Sequence, residues 1–130
     1  MPKCKVEFTE EFEQQMEELD WSVRRRIMAK IEERVMAYGT ELNSESVHGR
    51  PQLLKIKISS PAEARAIYGI VGNHKGIDVA IMLSAFLRKE KDPYAEGRGY
   101  ADRGVVNRLN FAKANFNKAT ATERDRKFLN

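Results

Sequence analysis

Alternation of apolar and polar positions along the chain predicts four β-strands, and apolar positions at helical spacing predict three helices. The predicted strands cover about residues 3–8, 53–59, 63–71 and 77–87. Two predicted helices fill the space between the first two strands, at about residues 9–19 and 21–38, and a third begins near residue 102. The 40–52 segment is rich in turn-forming residues and is predicted to be a loop.

The second predicted helix has the clearest pattern. Val23, Ile27, Ile31 and Val35 recur every fourth residue, which is typical of a helix that buries one side against a sheet. Gly39 follows this stripe and is a natural residue at which a helix ends. The two N-terminal helices are therefore expected to form an antiparallel pair.

The order strand, helix, helix, three strands, helix predicts an α+β domain. We expect a mostly antiparallel four-stranded sheet, with the two N-terminal helices packed on one face and a C-terminal helix after the last strand. Residues 1–117 are expected to form this single domain, and residues 118–130 a polar tail. The second face of the sheet is expected to be at least partly open.

Cationic residues lie on the predicted strands. Lys55 and Lys57 alternate with Ile56, so both lysines are expected on the side of the strand away from that isoleucine. Arg65 lies early in the next strand, and Arg88 follows the last one. Cations from neighbouring strands can converge on one phosphate, and arginine suits bidentate phosphate contacts.

Charge is unevenly distributed along the chain. The net charge of +4 combines −4 over residues 1–49, +3 over residues 50–87 and +5 over residues 88–130. This division indicates a molecule with one acidic and one basic side, and the basic side is expected to meet an anionic partner. A well-solvated surface of mixed sign is the alternative.

Several classes of protein are not indicated. Cys4, His48 and His74 do not have the spacing of zinc ligands, so we expect no metal and no cofactor. No apolar run approaches the roughly 20 residues that cross a bilayer, so no membrane association is expected. The N-terminal residues do not form the apolar region of a signal peptide, and the single cysteine, Cys4, cannot form an internal disulfide, so the cytoplasm is the expected location.

The chain resembles the RelE/ParE superfamily of bacterial toxins, most closely its HigB-like branch, over about residues 3–110. Four segments in the family's order carry the resemblance. They are His48-Gly49 followed by a strand from Leu53 to Lys57, then Arg65-Ala66-Ile67-Tyr68, then Leu83 to Lys89 with Pro93 after it, and finally Ala101-Asp102-Arg103. The chain departs from the pattern at Ser84, where the family often has histidine, and at Lys55, where it has glutamate.

The resemblance implies a toxin of a type II toxin–antitoxin system that cleaves mRNA on the ribosome without a metal ion. It also implies a cognate antitoxin protein as a partner. Either lysine of the strand is then a candidate general base, and the arginines would hold the phosphate. The expected catalytic residues are Lys55, Lys57, Arg65, Arg88 and Tyr94. The expected RNA-binding residues are Arg50, His74, Lys75, Lys89 and Lys91.

Two other functions remain open at this point. A ParE-like inhibitor of DNA gyrase would have the same fold but would need no base and no phosphate clamp, so the strand cations favour the nuclease. A nucleic-acid-binding relative without activity is the other alternative, which the departure at Ser84 keeps open.

Overall fold

The computed structural model describes residues 3–42, 44–47, 50–88 and 103–129. The strands are β1 (Cys4–Phe8), β2 (Glu45–Val47), β3 (Arg50–Ile58), β4 (Ala64–His74) and β5 (Ile77–Leu87). The helices are α1 (Glu10–Glu17), α2 (Trp21–Lys30), α3 (Arg103–Lys118) and α4 (Ala121–Leu129). A π-helical turn (Ile31–Met36) continues α2, and a 3-10 turn (Gly39–Glu41) follows it.

One mixed sheet contains all five described strands, in the order β1-β5-β4-β3-β2. β1 pairs with β5 in parallel, and the other three pairings are antiparallel. The prediction of an α+β domain with a mostly antiparallel sheet is confirmed, but the predicted number of four strands is wrong. The fifth strand, β2, has only three residues and lies within the segment predicted to be a loop.

The N-terminal helices pack on one face of the sheet, as predicted. Thr9 caps α1, because its hydroxyl oxygen accepts a hydrogen bond from the Phe12 amide at 3.1 Å. The apolar stripe predicted for the second helix is fully buried in this layer, together with side chains from β3, β4 and β5. Its members run through α2 into the π-helical turn and are Val23, Ile27, Ile31 and Val35.

The second face of the sheet carries its own apolar core beneath α3. Val105 and Leu109 of α3 are buried in this core with Ile67 of β4 and Leu83 of β5. α3 therefore covers the centre of the second face, and the expectation that this face is at least partly open stays a prediction. The alternation of lysines in one strand suggested a polar face, but the neighbouring strands place apolar residues at the centre of the same face.

A fourth helix, α4, follows α3 within the predicted polar tail. Thr120 and Glu123 cap it reciprocally: the Glu123 amide donates to the Thr120 hydroxyl at 3.2 Å, and the Thr120 amide donates to the Glu123 carboxylate at 3.1 Å. Lys127 of this helix pairs with Glu7 of β1 at 2.6 Å. The C-terminal segment therefore lies against the first strand of the domain.

Replacing Gly39 with alanine is expected to destabilise the fold by roughly 2–4 kcal/mol. Gly39 has φ +56°, and a Cβ atom there would lie 2.5 Å from Oδ2 of Asp78. That oxygen accepts hydrogen bonds from the amide and the hydroxyl of Thr40, both at 2.9 Å. Burial alone would raise the pKa of Asp78, but hydrogen bonds from Thr40 and Asn73 lower it overall. Chemical denaturation of the variant would measure the loss.

Gly76→Ala is the matched control. Gly76 also has positive φ, at +84°, but no atom lies within 4 Å of the added methyl group. It should therefore lose only the conformational part, about 1 kcal/mol. Equal losses in the two variants would contradict the role given to the close approach of Asp78.

Candidate phosphate-binding site

Three neighbouring strands place Lys57, Arg65 and Phe86 side by side. Lys57 of β3 lies opposite Arg65 of β4, and Arg65 lies opposite Phe86 of β5. Directly opposed residues point to the same side of a sheet, so these side chains share the α3 face. Phe86 and Ile67 pack in the second core, which confirms the face. The cations thus lie at one end of a face whose centre is apolar.

Lys55 and Lys57 share one carboxylate. Glu45 of β2 lies opposite Lys55, and its Oε2 is 2.7 Å from Nζ of Lys57 and 3.6 Å from Nζ of Lys55. The hydrogen bond and charge of Lys57, followed by the charge of Lys55, hold the pKa of Glu45 below its usual range. Glu45 therefore remains an anion between the two lysine side chains. Its negative charge offsets part of the repulsion between them.

Arg65 is buried, with only 6% of its surface exposed. A guanidinium has five N–H donors, and Nη1 donates to the backbone oxygen of Ala64 at 2.9 Å. Within the part of the chain that the structure describes, Arg65 forms no ion pair. Burying a charge without a counter-ion is costly. Such a group is well suited to bind an anion that reaches the end of the sheet.

Arg88 lies just beyond β5, where its amide donates to the backbone oxygen of Glu63 at 2.9 Å. By strand alternation it follows Phe86 on the α3 face, next to the start of β4. Lys55, Lys57, Arg65 and Arg88 are called the cationic row below. Three other predicted site residues lie outside the described residues: Tyr94, Lys89 and Lys91.

The remaining predicted RNA-binding residues lie elsewhere. His74 ends β4 nine residues after Arg65, which corresponds to about 30 Å along an extended strand. Its Nε2 is 2.7 Å from Oδ1 of Asp125 in α4, and Lys75 is 2.9 Å from the same oxygen. Arg50 begins β3, seven residues before Lys57. These three residues are not part of the cationic row, and their binding of RNA stays a prediction.

Ser84 occupies the position at which the resembled family often has histidine. Its hydroxyl donates to Oε1 of Gln15 at 3.0 Å, and the amide of Ala85 donates to the same oxygen at 2.8 Å. Ser84 therefore joins β5 to α1. The position that holds a histidine in the resembled family has a structural role in this chain.

Among the residues that the structure describes, groups suited to metal binding or thiol chemistry are not found near the row. No cluster of three or more histidine, cysteine, aspartate or glutamate side chains able to hold a metal ion occurs among the described residues. Cys4 is buried in the first core. Burial, followed by the charge of Asp78, raises the pKa of the Cys4 thiol to about 11. The thiol is therefore neutral at physiological pH.

A small hollow adjoins the row at the edge of the sheet, with a volume of about 240 Å³. Lys30 and Arg34, from α2 and its π-helical continuation, line it together with Glu45, Lys55 and Lys57. Glu45 was not predicted from the sequence, because three residues are too short for a strand pattern. Lys30 and Arg34 were not predicted either, because helix cations are usually only solvated.

A larger groove of about 690 Å³ lies between α1, α3 and α4. Its walls are mostly apolar, with Phe111 and Phe116 from α3 and with Glu10 and Glu11 at the start of α1. It contains no member of the cationic row. Its lining therefore does not include the residues predicted to hold a phosphate.

Comparison with known proteins yields a similarity in structure. No family model and no curated protein matches the chain. A double arginine-to-alanine mutant of the E. coli toxin RelE in its free state superposes with a TM-score of 0.53 at 22% identity, covering 75% of this chain and 95% of that chain. A chain of the intact E. coli RelBE toxin–antitoxin complex is a weaker match, with a TM-score of 0.47 at 21% identity, covering 67% of this chain and 99% of the other.

The match to RelE covers three quarters of the chain rather than one short motif. The resemblance to the RelE/ParE superfamily is confirmed at the level of the fold, whereas assignment to its HigB-like branch stays a prediction. In addition, none of the described helices is both long and apolar enough to cross a lipid bilayer. The chain has the fold of the RelE toxin.

Proposed function

We propose that the chain is the toxin of a type II toxin–antitoxin system and cleaves mRNA on the ribosome in the cytoplasm. The observation that carries the proposal is Arg65, a buried guanidinium that has no ion-pair partner among the described residues and lies beside Lys57 in the sheet. The RelE-like fold supports it. A separate antitoxin protein, which would neutralise the activity, is part of the same proposal.

The proposed reaction is attack of the ribose 2′-oxygen on its own 3′-phosphorus. The bond from phosphorus to the 5′-oxygen breaks, which leaves a 2′,3′-cyclic phosphate and a 5′-hydroxyl. Arg65 and Arg88 would hold the phosphate and stabilise the negative charge of the phosphorane. Lys55 or Lys57 would accept the 2′-hydroxyl proton as its neutral amine, and the ammonium so formed would return that proton, through solvent water, to the leaving 5′-oxygen.

Glu45 makes the two lysines unequal partners in this chemistry. Its carboxylate holds Lys57 at 2.7 Å, whereas Lys55 lies at 3.6 Å. Lys55 is also the less exposed of the two, with 17% of its side chain accessible against 46%. Because Lys57 is the more exposed lysine, we expect it to exchange Glu45 for a phosphate oxygen more readily. Because Lys55 is less exposed and lies farther from the carboxylate, we expect it to be the better candidate for the base.

Induced expression followed by mapping of mRNA 5′ ends tests the proposed function. We expect new 5′ ends within translated messages soon after induction, at positions related to codons, and 5′-hydroxyl groups on the fragments. The Lys57→Ala variant, expressed to the same level, should produce these ends much more slowly. Intact messages accompanied by DNA damage of the gyrase type would contradict the proposal and favour the ParE-like alternative.

A further inference from the structure

The hollow beside the cationic row combines cations from both layers of the fold. Lys30 and Arg34 come from the helical layer, and Lys55 and Lys57 come from β3. Among the described residues, neither Lys30 nor Arg34 forms an ion pair. With Glu45 as the only carboxylate in its described lining, the hollow has a net charge of +3. Side chains with this net positive charge repel one another unless an anion binds among them or water solvates them well.

Glu45 already shows what kind of group the hollow accepts. Its carboxylate reaches both β3 lysines from β2, while 62% of the Glu45 side chain stays exposed. An exposed ion pair of this kind contributes little and exchanges readily. A phosphodiester oxygen carries the same charge and accepts the same hydrogen bonds, so it can replace the carboxylate without leaving a cation buried.

We infer that this hollow binds a second phosphate of a nucleic-acid strand, next to the phosphate on the cationic row, and that Glu45 occupies it until the strand arrives. The inference rests on the proposed function. A nucleic-acid strand is favoured over an acidic protein segment because Lys55 and Lys57 belong to both the hollow and the row. One strand with successive phosphates can therefore reach both places.

Binding of a short 2′-O-methyl RNA, which lacks the attacking hydroxyl, tests the inference separately from cleavage. Fluorescence anisotropy would measure the affinity over a range of salt concentrations. We expect Glu45→Gln to bind about two- to fivefold more tightly than the wild type, because the competing anion is gone. Glu13→Gln is the matched control: Glu13 is an exposed carboxylate of α1 and does not line the hollow.

The double variant Lys30→Gln/Arg34→Gln should bind about three- to tenfold more weakly. Its plot of log affinity against log salt concentration should also be flatter, by about 0.7 for each phosphate of a single strand that the variant no longer neutralises. Arg25→Gln/Arg26→Gln removes the same charge from the exposed side of α2 and is the control for a general effect of net charge.

The outcomes of this experiment test the inference separately from the proposed function. Tighter binding by Glu45→Gln and weaker binding by the hollow variant, with unchanged controls, would support the inference. A wild-type protein that binds the strand, together with hollow variants that behave like their controls, would overturn the inference and leave the proposed function intact. No binding by the wild type at low salt would overturn the inference, whereas the proposed function would still be decided by the mapping of mRNA 5′ ends. Glutamate-rich peptide binding that follows the same variants, without strand binding, would overturn the inference by assigning the hollow to a protein partner.

Discussion

Replacing Arg65 with alanine is expected to slow cleavage of ribosome-bound message by about 10²–10³-fold, which is the typical loss when one preorganised donor to a transition state is removed. The guanidinium is held within the sheet before any substrate binds, so it needs little reorganisation during the reaction. Single-turnover cleavage of a programmed ribosome complex would measure the rate, with fragment ends mapped in the same samples.

Arg65→Lys separates charge from geometry. It keeps a cation on a similar stem but loses the planar pair of donors that suits a phosphate, so we expect most of the activity to be lost while the fold is retained. Arg108→Ala controls for loss of a partly buried arginine: Arg108 donates to the backbone oxygen of Leu83 from α3 and is not part of the cationic row. Wild-type rates in Arg65→Ala would remove the proposed role of this residue.

Leu109→Ala is expected to destabilise the protein by about 2–5 kcal/mol, as is usual for deletion of a fully buried leucine side chain. Leu109 is 0% exposed and packs against Gly69 of β4, where a Cβ atom would lie 2.6 Å from Cδ1 of the leucine. The close approach of α3 to the sheet therefore depends on this pair. Equilibrium denaturation would give the loss in unfolding free energy.

Phe111→Ala on the same helix provides the comparison. Phe111 is 70% exposed, and removing its ring should change stability by no more than about 0.5 kcal/mol. Similar small losses for both variants would contradict the second core described beneath α3. A large loss for Leu109→Ala alone would show that this face of the sheet is covered in solution.

The sequence allowed much of the fold to be predicted because burial repeats at the period of each element. The apolar stripe from Val23 to Val35 indicated a helix with one buried side, and the long apolar run of β5 indicated a buried strand. β2 escaped prediction because three residues contain too few alternations, and because its pairing with β3 depends on how the strands meet in the folded chain. The capping pair Thr120 and Glu123 was visible in the sequence and would have indicated α4.

The candidate site was harder to predict than the fold. Alternation placed Lys55 and Lys57 on one strand face, but it could not show that Ile67 and Leu83 make the centre of that face apolar. Alternation also could not show that Glu45 lies between the two lysines, because this contact depends on the edge of the sheet to which β2 is added. His74 was predicted to bind RNA, but it ends β4, and nine residues of extended strand separate it from Arg65.

The parallel pairing of β1 with β5 has a consequence for synthesis of the chain. Cys4 lies opposite Asp78, so β1 cannot complete its pairing with β5 before the chain has been made as far as Met82, the partner of Phe8. The cationic row also needs β5 and the residue that follows it. A nascent polypeptide that lacks β5 would thus not contain the complete cationic row, so the proposed activity would require translation to pass Arg88.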